Sequence, residues 1–274
     1  MKASTAIGIG VAFAGLAMGA LMEGASPAAF LNVPALLIVL GGTFGVTFAG
    51  TTIEKIKLIP TLYKKAMGGD KPEMAAQLEL LVGFAERARR EGLLALDEEV
   101  AELDDEFTRK GLQLVVDGTD PELVREILEN EIDGMMGRHH AAVSPFEKAG
   151  GFAPTMGIIG TVMGLVHVLE NLDAPATLGP AISGAFIATL YGVGSANVIF
   201  LPTANKLKAM SSEEVELRSM TLEGILSIQA GDNPRVVADK LLSFIPPDER
   251  VNDVEGAEGA SGVGAPAEAE LAAA

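Results

Sequence analysis

The sequence is poor in the side chains that most enzymes use for chemistry, with no cysteine and only three histidines among 274 residues. Without cysteine it can form neither a disulfide nor a thiolate nucleophile. It also lacks a GxxxxGK[ST] phosphate loop, an HExxH metal pair and a recognisable nucleophile with its base. His139 and His140 are adjacent, but no third metal ligand accompanies them. We therefore expect no catalytic residue, no metal site and no cofactor, and we predict that the protein is not an enzyme.

Charge is missing from four long stretches of a chain that is 49% hydrophobic. These stretches are 3–22, 30–52, 149–169 and 174–205. As a helix, each is long enough to cross about 30 Å of hydrocarbon at about 1.5 Å per residue. No strand pattern competes, so the sequence predicts an all-α membrane protein with four spans and a large helical cytoplasmic domain between spans two and three.

The predicted domains follow the order of these stretches. They are transmembrane helices 1 and 2 at 1–52, a cytoplasmic helical domain at 53–148, transmembrane helices 3 and 4 at 149–202, cytoplasmic helices at 203–246 and a disordered tail at 247–274.

Basic residues near the span ends all fall on one side of this arrangement: Lys2, Lys55, Lys57, Lys64, Lys65, Arg138, Lys148, Lys206 and Lys208. The opposite turns, 23–29 and 170–175, contain none, so we expect both termini in the cytoplasm. A secretory signal peptide at the start is the alternative, but its cleavage would leave the basic clusters on inconsistent sides. The net charge of −17 disfavours a nucleic-acid partner, and the basic residues are interpreted as contacts with anionic membrane lipid.

Thr161 and Thr189 lie about half-way across the third and fourth spans, where glycines would let helix backbones approach closely. The two hydroxyls either meet in one layer or bond the carbonyl four residues back in their own helices. For Asn197 we predict a hydrogen bond to another helix, and for His167 a local hydrogen bond or contact with water. Because no carboxylate or ammonium lies near mid-depth, a charged site for a moving ion must come from another chain.

Pro154 and Pro202 are predicted to begin the third span and to end the fourth. As boundary residues they need no function. A hinge is the alternative, because proline frees backbone hydrogen bonds and permits bending.

Charged residues flank Gly92, where we predict that a helix from Pro72 to Arg90 gives way to another over Leu93–Phe107. Arg89 and Arg90 precede this break, and Asp97 and Glu98 follow it. The pattern complements both helix dipoles and fits either a solvated structural role or a bipolar docking surface.

Three segments resemble the MotA family of flagellar stator subunits, within the MotA/TolQ/ExbB superfamily: GFAPTMGIIGTVMGLVHVLENL at 151–172, ATLYGVGSAN at 188–197 and EGILSIQAGDNP at 223–234. The resemblance covers most of 1–246. It implies a multi-pass protein of the bacterial inner membrane that forms a homopentamer around a MotB-like partner. That partner would supply the essential aspartate, and the complex would couple proton flow to torque on the rotor protein FliG.

The resemblance also implies roles for individual residues. It assigns Thr161 and Thr189 to the ion pathway, Pro154 and Pro202 to torque coupling, and Arg89, Arg90, Asp97 and Glu98 to the rotor contact. Sodium-driven relatives tend to carry a hydroxyl where this chain has Ala188, so we expect H⁺ rather than Na⁺.

Two other classes of function were compared with this one. An ExbB/TolQ-like energiser of an outer-envelope process usually has three spans, and the extra first span argues against it. A self-sufficient secondary transporter would be expected to hold a charged residue or a broken helix at mid-depth.

Overall fold

The computed structural model describes residues 4–24, 26–68, 73–173, 175–247 and 250. All regular structure in this part of the chain is helical, with no strand. Four helical stretches are long and apolar enough to cross a membrane, and they lie in Ser4–Met22, Pro27–Ala49, Pro121–Glu170 and Pro175–Ala230. The prediction of an all-α, four-span protein is confirmed.

Three predictions fall outside the described residues. They are the contribution of Lys2 to orientation, the helix start at Pro72 and the disordered tail beyond residue 250. The assignment of the domains to membrane and cytoplasm stays a prediction.

The chain divides into two compact units, of which the first comprises Met1–Lys71 and Asp133–Val215. This unit contains the apolar part of all four spans. Its second span is irregular, with a 3₁₀ turn at Pro27–Phe30, a short α-helix at Val33–Leu36, a π-helical turn at Leu37–Gly41 and an α-helix at Gly42–Ala49. The helix Ile53–Gly68 follows, and its Ala66 is buried in a cluster with Val143, Phe146, Ala204 and Leu207.

Polar side chains hold the start of the second span. The Asn32 side chain accepts a hydrogen bond from the Ala35 N–H at 3.0 Å, which caps the helix that begins at Val33. The Tyr191 hydroxyl of the fourth span accepts from the Asn32 N–H at 3.2 Å and donates to the Phe30 carbonyl. These hydrogen bonds satisfy the backbone N–H groups of Asn32 and Ala35 and the carbonyl of Phe30 without water.

The second unit comprises Pro72–Ile132 and Glu216–Ala274. Its shorter helices are Met74–Glu91, the 3₁₀ turn Leu93–Leu96, Asp97–Ala101, Glu106–Val116 and Pro234–Leu242. They pack with the unit's parts of Pro121–Glu170 and Leu201–Ala230 around large side chains that have lost all contact with solvent: Leu81, Leu96, Leu112, Leu128, Met220, Ile225 and Leu241. Burial of such side chains is the main source of stability in a water-facing domain.

The prediction of one helix over Leu93–Phe107 is wrong. The chain leaves helical geometry after Ala101 and starts a new helix at Glu106, because the Asp105 carboxylate accepts a hydrogen bond from the Thr108 N–H at 2.8 Å. This is an N-cap, in which a short acidic side chain satisfies a free N–H of the first turn.

Candidate functional site

The third and fourth spans are in direct backbone contact. A methyl group added at Gly192 would lie 2.5 Å from the Ala153 carbonyl oxygen and 2.9 Å from the Gly157 Cα. One added at Gly164 would lie 2.7 Å from the Ala185 Cβ. These glycines are therefore required by close approach, as in other membrane helix pairs.

Thr161 and Thr189 meet at this contact. The Thr161 hydroxyl contacts the Thr189 hydroxyl and lies 2.9 Å from the Ala185 carbonyl oxygen and 3.1 Å from that of Gly157. Both sequence interpretations therefore hold for Thr161, which reaches a carbonyl of its own helix and also pairs across the two spans. We call these two side chains the hydroxyl layer.

The hydroxyl layer is weakly polar and only partly closed. Both threonines are half-buried, so part of the layer lies on the outside of the first unit. Ala188, next to Thr189, is 1% exposed, and a methyl group added at Gly160 would lie 2.8 Å from its Cβ. The layer thus presents hydroxyls and carbonyls to a neighbouring molecule, without any ionisable group of its own.

Pro154, predicted to begin the third span, does not begin a helix; it lies inside the continuous helix Pro121–Glu170. It has no N–H to donate to the Gly150 carbonyl, so one backbone hydrogen bond is missing while the helix continues on either side. Because the fixed φ of proline is compatible with a helix, Pro154 does not have to begin or end one.

Pro202, predicted to end the fourth span, likewise lies within continuous helical structure. The helix Pro175–Ser195 passes through a π-helical turn at Ala196–Phe200 directly into Leu201–Ala230, with Pro202 in its first turn. The Leu201 N–H reaches back five residues to the Ala196 carbonyl, which widens the helix just before the proline.

The two proline-weakened turns lie against each other. Gly150, four residues before Pro154, packs so closely on Leu201 that an added methyl group would lie 2.5 Å from that side chain. Ala149, Ala153, Ala196 and Phe200 form one buried cluster at this level. The π-helical turn was not foreseen, because its residues carry no sequence signal for it.

Side chains satisfy backbone carbonyls along the fourth span. Asn197 donates to the Val193 carbonyl at 2.9 Å and Thr203 to the Ile199 carbonyl at 2.6 Å. Within this chain the Asn197 side chain thus bonds its own helix one turn earlier, and the predicted bond to another helix is not seen among the described residues. The imidazole of His167 has the predicted local contact, because its Nδ1 lies 3.4 Å from the side-chain amide nitrogen of Asn171.

The charged residues around Gly92 occupy an exposed turn in the second unit. Gly92 has φ +88°, which favours glycine, and it separates a helix with Arg89 and Arg90 in its last turn from one with Asp97 and Glu98 in its first. All four charged side chains are exposed, and Asp97 accepts a hydrogen bond from Gln113 at 3.1 Å. Among the described residues, Arg89, Arg90 and Glu98 form no ion pair. We call these four residues the charged turn surface.

Arg87 braces this surface and was missed as a contributor. Its guanidinium lies 3.3 Å from the Glu91 carboxylate and 2.6 Å from that of Glu99, so it links both sides of the Gly92 turn. The hydrogen bond to Glu91 and the carboxylate of Glu99 raise the pKa of Arg87 above its ordinary value. The spacing of Arg87 and Glu91 signals a helical pair, whereas the pairing with Glu99 depends on the turn.

His139 does not join His140 in a metal site. Its Nδ1 lies 2.9 Å from the Ser211 hydroxyl and its Nε2 lies 4.0 Å from the Glu214 carboxylate, while His140 is exposed. Across the parts of the chain that the structure describes, no three His, Cys, Asp or Glu side chains are grouped to hold a metal ion.

Comparison with known proteins places the chain among motility proteins. The profile of the MotA/TolQ/ExbB proton channel family matches residues 99–220. Motility protein A of Bacillus subtilis is 38% identical over 263 residues, covering 96% of this chain and 97% of that protein. Chemotaxis protein PomA of Vibrio alginolyticus is 34% identical over 255 residues, covering 93% of this chain and all of PomA.

Two solved structures have the same fold. The flagellar MotAB stator complex from Bacillus subtilis contains a chain that is 38% identical, with a TM-score of 0.86 and coverage of 91% of this chain and 98% of that one. The C. jejuni MotAB structure gives 31% identity and the same TM-score of 0.86, covering 90% and 97% respectively.

Proposed function

The chain belongs to the MotA family of flagellar motility proteins, and from this premise we propose that it is the stator subunit that couples proton flow across the inner membrane to torque on the rotor. The observation that carries the proposal is the hydroxyl layer, which is half-buried near the middle of two apolar stretches, 149–169 and 174–205, that contain no Asp, Glu, Lys or Arg. Threonine hydroxyls bind and orient a proton donor, but they do not titrate in the physiological range.

We propose that the titratable group comes from a MotB-like partner, whose membrane helix places an aspartate beside the hydroxyl layer. The solved relatives with this fold are MotAB complexes, which supports such a partner. A carboxylate in a membrane needs a polar neighbour, and Thr189 and Thr161 offer half-buried hydroxyls near mid-span. Protonation of the aspartate would remove its charge and change how strongly it is held by this layer.

A proton suits the layer better than Na⁺. Sodium needs several oxygen ligands in place of its water shell. At position 188 the layer offers only a methyl group, packed against Gly160. Motility in sodium-free medium is expected to persist and to stop when a protonophore collapses the proton gradient. Full swimming with the proton gradient collapsed would overturn the choice of ion.

The proline-weakened turns are proposed to convert this event into movement. Each of Pro154 and Pro202 removes one backbone hydrogen bond, and the adjoining π-helical turn is a further weak point, so bending is cheapest here. Pro154→Ala and Pro202→Ala are expected to abolish torque while the complex still assembles. Normal swimming of both variants would contradict the hinge role.

The charged turn surface is proposed to contact FliG in the cytoplasm, within a homopentamer of this chain around the partner. Its four exposed charges fit a partner with the complementary pattern. Arg90→Glu is expected to weaken rotor coupling without changing assembly or ion flux. An ExbB/TolQ-type role is not favoured, because the relatives that cover nearly the whole chain are motility proteins.

The decisive experiment compares ion flux in liposomes for this chain alone, with its partner, and with the partner plus Thr189→Val. We expect no flux from the chain alone, flux with the partner, and a large loss for Thr189→Val but a smaller one for Thr189→Ser, which keeps the hydroxyl. Ion conduction by the chain alone would contradict the proposal that the partner supplies the titratable group.

A further inference from the structure

Leu94 is exposed at the centre of the charged turn surface. Its relative exposure is 79%, whereas the next most exposed large hydrophobic side chains of the second unit's described residues are Leu123 at 47% and Val236 at 46%. It lies in the 3₁₀ turn Leu93–Leu96, after Arg90 and before Asp97. A single exposed leucine needs no explanation by itself, but one placed between basic and acidic residues in a fixed turn offers apolar surface that a charged partner can bury.

The conformation of the turn leaves the Leu94 side chain exposed. Gly92 ends the preceding helix at φ +88°, and the Ala95 N–H then donates to the Gly92 carbonyl at 3.2 Å, which closes the 3₁₀ turn. Leu96 at the end of this turn is fully buried, and it anchors the turn in the core. Arg87 also forms exposed ion pairs with Glu91 and Glu99, one on each side of the turn. The turn that exposes Leu94 is therefore fixed by a backbone hydrogen bond and by the buried side chain of Leu96.

We propose that Leu94 is the apolar anchor of the rotor contact and fills a shallow hydrophobic pocket on the rotor protein. This inference rests on the proposed contact of the charged turn surface with the rotor. The pocket would be flanked by acidic groups facing Arg89 and Arg90 and by basic groups facing Asp97 and Glu98. Exposed charge pairs contribute little affinity by themselves, and a contact needs a desolvated apolar centre to gain strength.

Charge decides between possible occupants of this surface. An anionic membrane surface would be repelled by the acidic residues beside Leu94, which include Glu91, Asp97, Glu98 and Glu99. A partner protein with both signs of charge can satisfy both flanks at once, and its polarity is fixed by the order of basic then acidic residues. A second copy of this chain is the remaining alternative, and the experiment separates it.

The test measures binding of the purified stator complex to purified FliG at low and high salt. Leu94→Ser is expected to weaken binding about ten-fold at both salt concentrations, because contact between apolar groups is not screened. Arg90→Glu is expected to weaken binding at low salt, with an effect that shrinks at high salt. Leu94→Met should retain most affinity, and Leu123→Ser, on another exposed surface of the same unit, should leave it unchanged.

Each alternative outcome has a separate meaning. Normal binding by Leu94→Ser together with weak binding by Arg90→Glu would overturn the anchor and leave the rotor contact standing. Normal binding by both would remove the rotor contact itself. A smaller complex for Leu94→Ser in size measurements, with an unchanged melting temperature of its subunits, would show that a second copy covers Leu94 and would also overturn the anchor.

Discussion

The two units of the chain use different means to hold helices together. In the first unit, the spans touch through glycine and alanine, as where Gly192 meets the backbone of Ala153 and Gly157. In the second unit, large side chains such as Leu128 and Ile225 are completely buried. The difference follows from the solvent, because burial of leucine gains nothing against lipid, whereas direct backbone contact still gains van der Waals energy.

The same contrast separates the two proposed functional surfaces. The hydroxyl layer sits where closely packed helices carry no charged side chain, so under the proposal one titratable group from a partner would dominate its electrostatics. The charged turn surface is exposed, so under the proposal its charges would steer a partner and its exposed leucine would supply the apolar contact.

Loss of a large buried side chain in the second unit should have the greatest effect on stability. Leu128 is fully buried and packs over Gly111, where an added methyl group would lie 3.1 Å from it. Leu128→Ala leaves a cavity and is expected to cost about 2–5 kcal/mol of unfolding free energy. Leu123→Ala on the same helix, where the side chain is 47% exposed, is the matched control and should change denaturation much less. Equal effects of the two variants would contradict the described core.

A methyl group added between the spans should be the next most damaging change. Gly192→Ala places its Cβ 2.5 Å from the Ala153 carbonyl oxygen, and the spans must separate to accept it. Such overpacking is expected to cost about 1–3 kcal/mol, measured as a lower melting temperature of the solubilised complex. Gly194→Ala is the control, because nothing lies within 4 Å of its added Cβ. If both variants melt like the parent protein, backbone contact is not what holds these spans.

The sequence was sufficient for the parts of the fold that depend on local composition. Uncharged runs identified all four spans, and Gly92 correctly separated two elements. The sequence-based prediction failed where the local structure also depends on contacts between segments distant in sequence. The predicted helix is broken after Ala101, and Asp105 caps a new helix at Glu106 while Arg218, distant in sequence, binds the same carboxylate at 2.7 Å.

The candidate sites show the same limit. Thr161 and Thr189 could be placed at one depth from spacing, but their contact depends on glycines that let the spans meet. The prolines looked like boundaries because their effect on a helix is local, whereas the surrounding packing keeps both helices continuous. Leu94 carried no signal at all, since only the turn decides which leucine of Leu93–Leu96 is left outside.

Asp105 provides a smaller, pH-dependent test within the second unit. Partial burial alone would raise the pKa of its carboxyl, but hydrogen bonds from Thr108 and Arg218 outweigh this and hold the pKa below its ordinary value. The folded state therefore gains stability that is present above the unfolded pKa and is lost as pH falls through the lowered folded value.

Two substitutions of Asp105 separate its charge from its role as a cap. Asp105→Ala is expected to cost about 0.5–2 kcal/mol at pH 7 through loss of the cap. Asp105→Asn keeps an acceptor for the Thr108 N–H, so it should cost less and should flatten the loss of stability below about pH 4. Denaturation of the complex at pH 7 and pH 3 measures both effects. An unchanged acid dependence in Asp105→Asn would show that other carboxylates cause it.

The smallest effect is expected for a hydrogen bond between spans. Tyr191→Phe keeps the ring but removes the hydroxyl that accepts from the Asn32 N–H and donates to the Phe30 carbonyl. Without water, the freed Asn32 N–H and Phe30 carbonyl would be expected to cost several kcal/mol of stability. Side-chain hydrogen bonds in membrane proteins nevertheless contribute only about 0.6 kcal/mol on average, because polar groups in the unfolded state within the membrane also find partners. We therefore expect a melting temperature close to that of the parent complex, and ion flux unchanged. A loss as large as that of Gly192→Ala would mean that polar contacts, and not backbone packing, hold the spans, and the contrast between the two units would have to be redrawn.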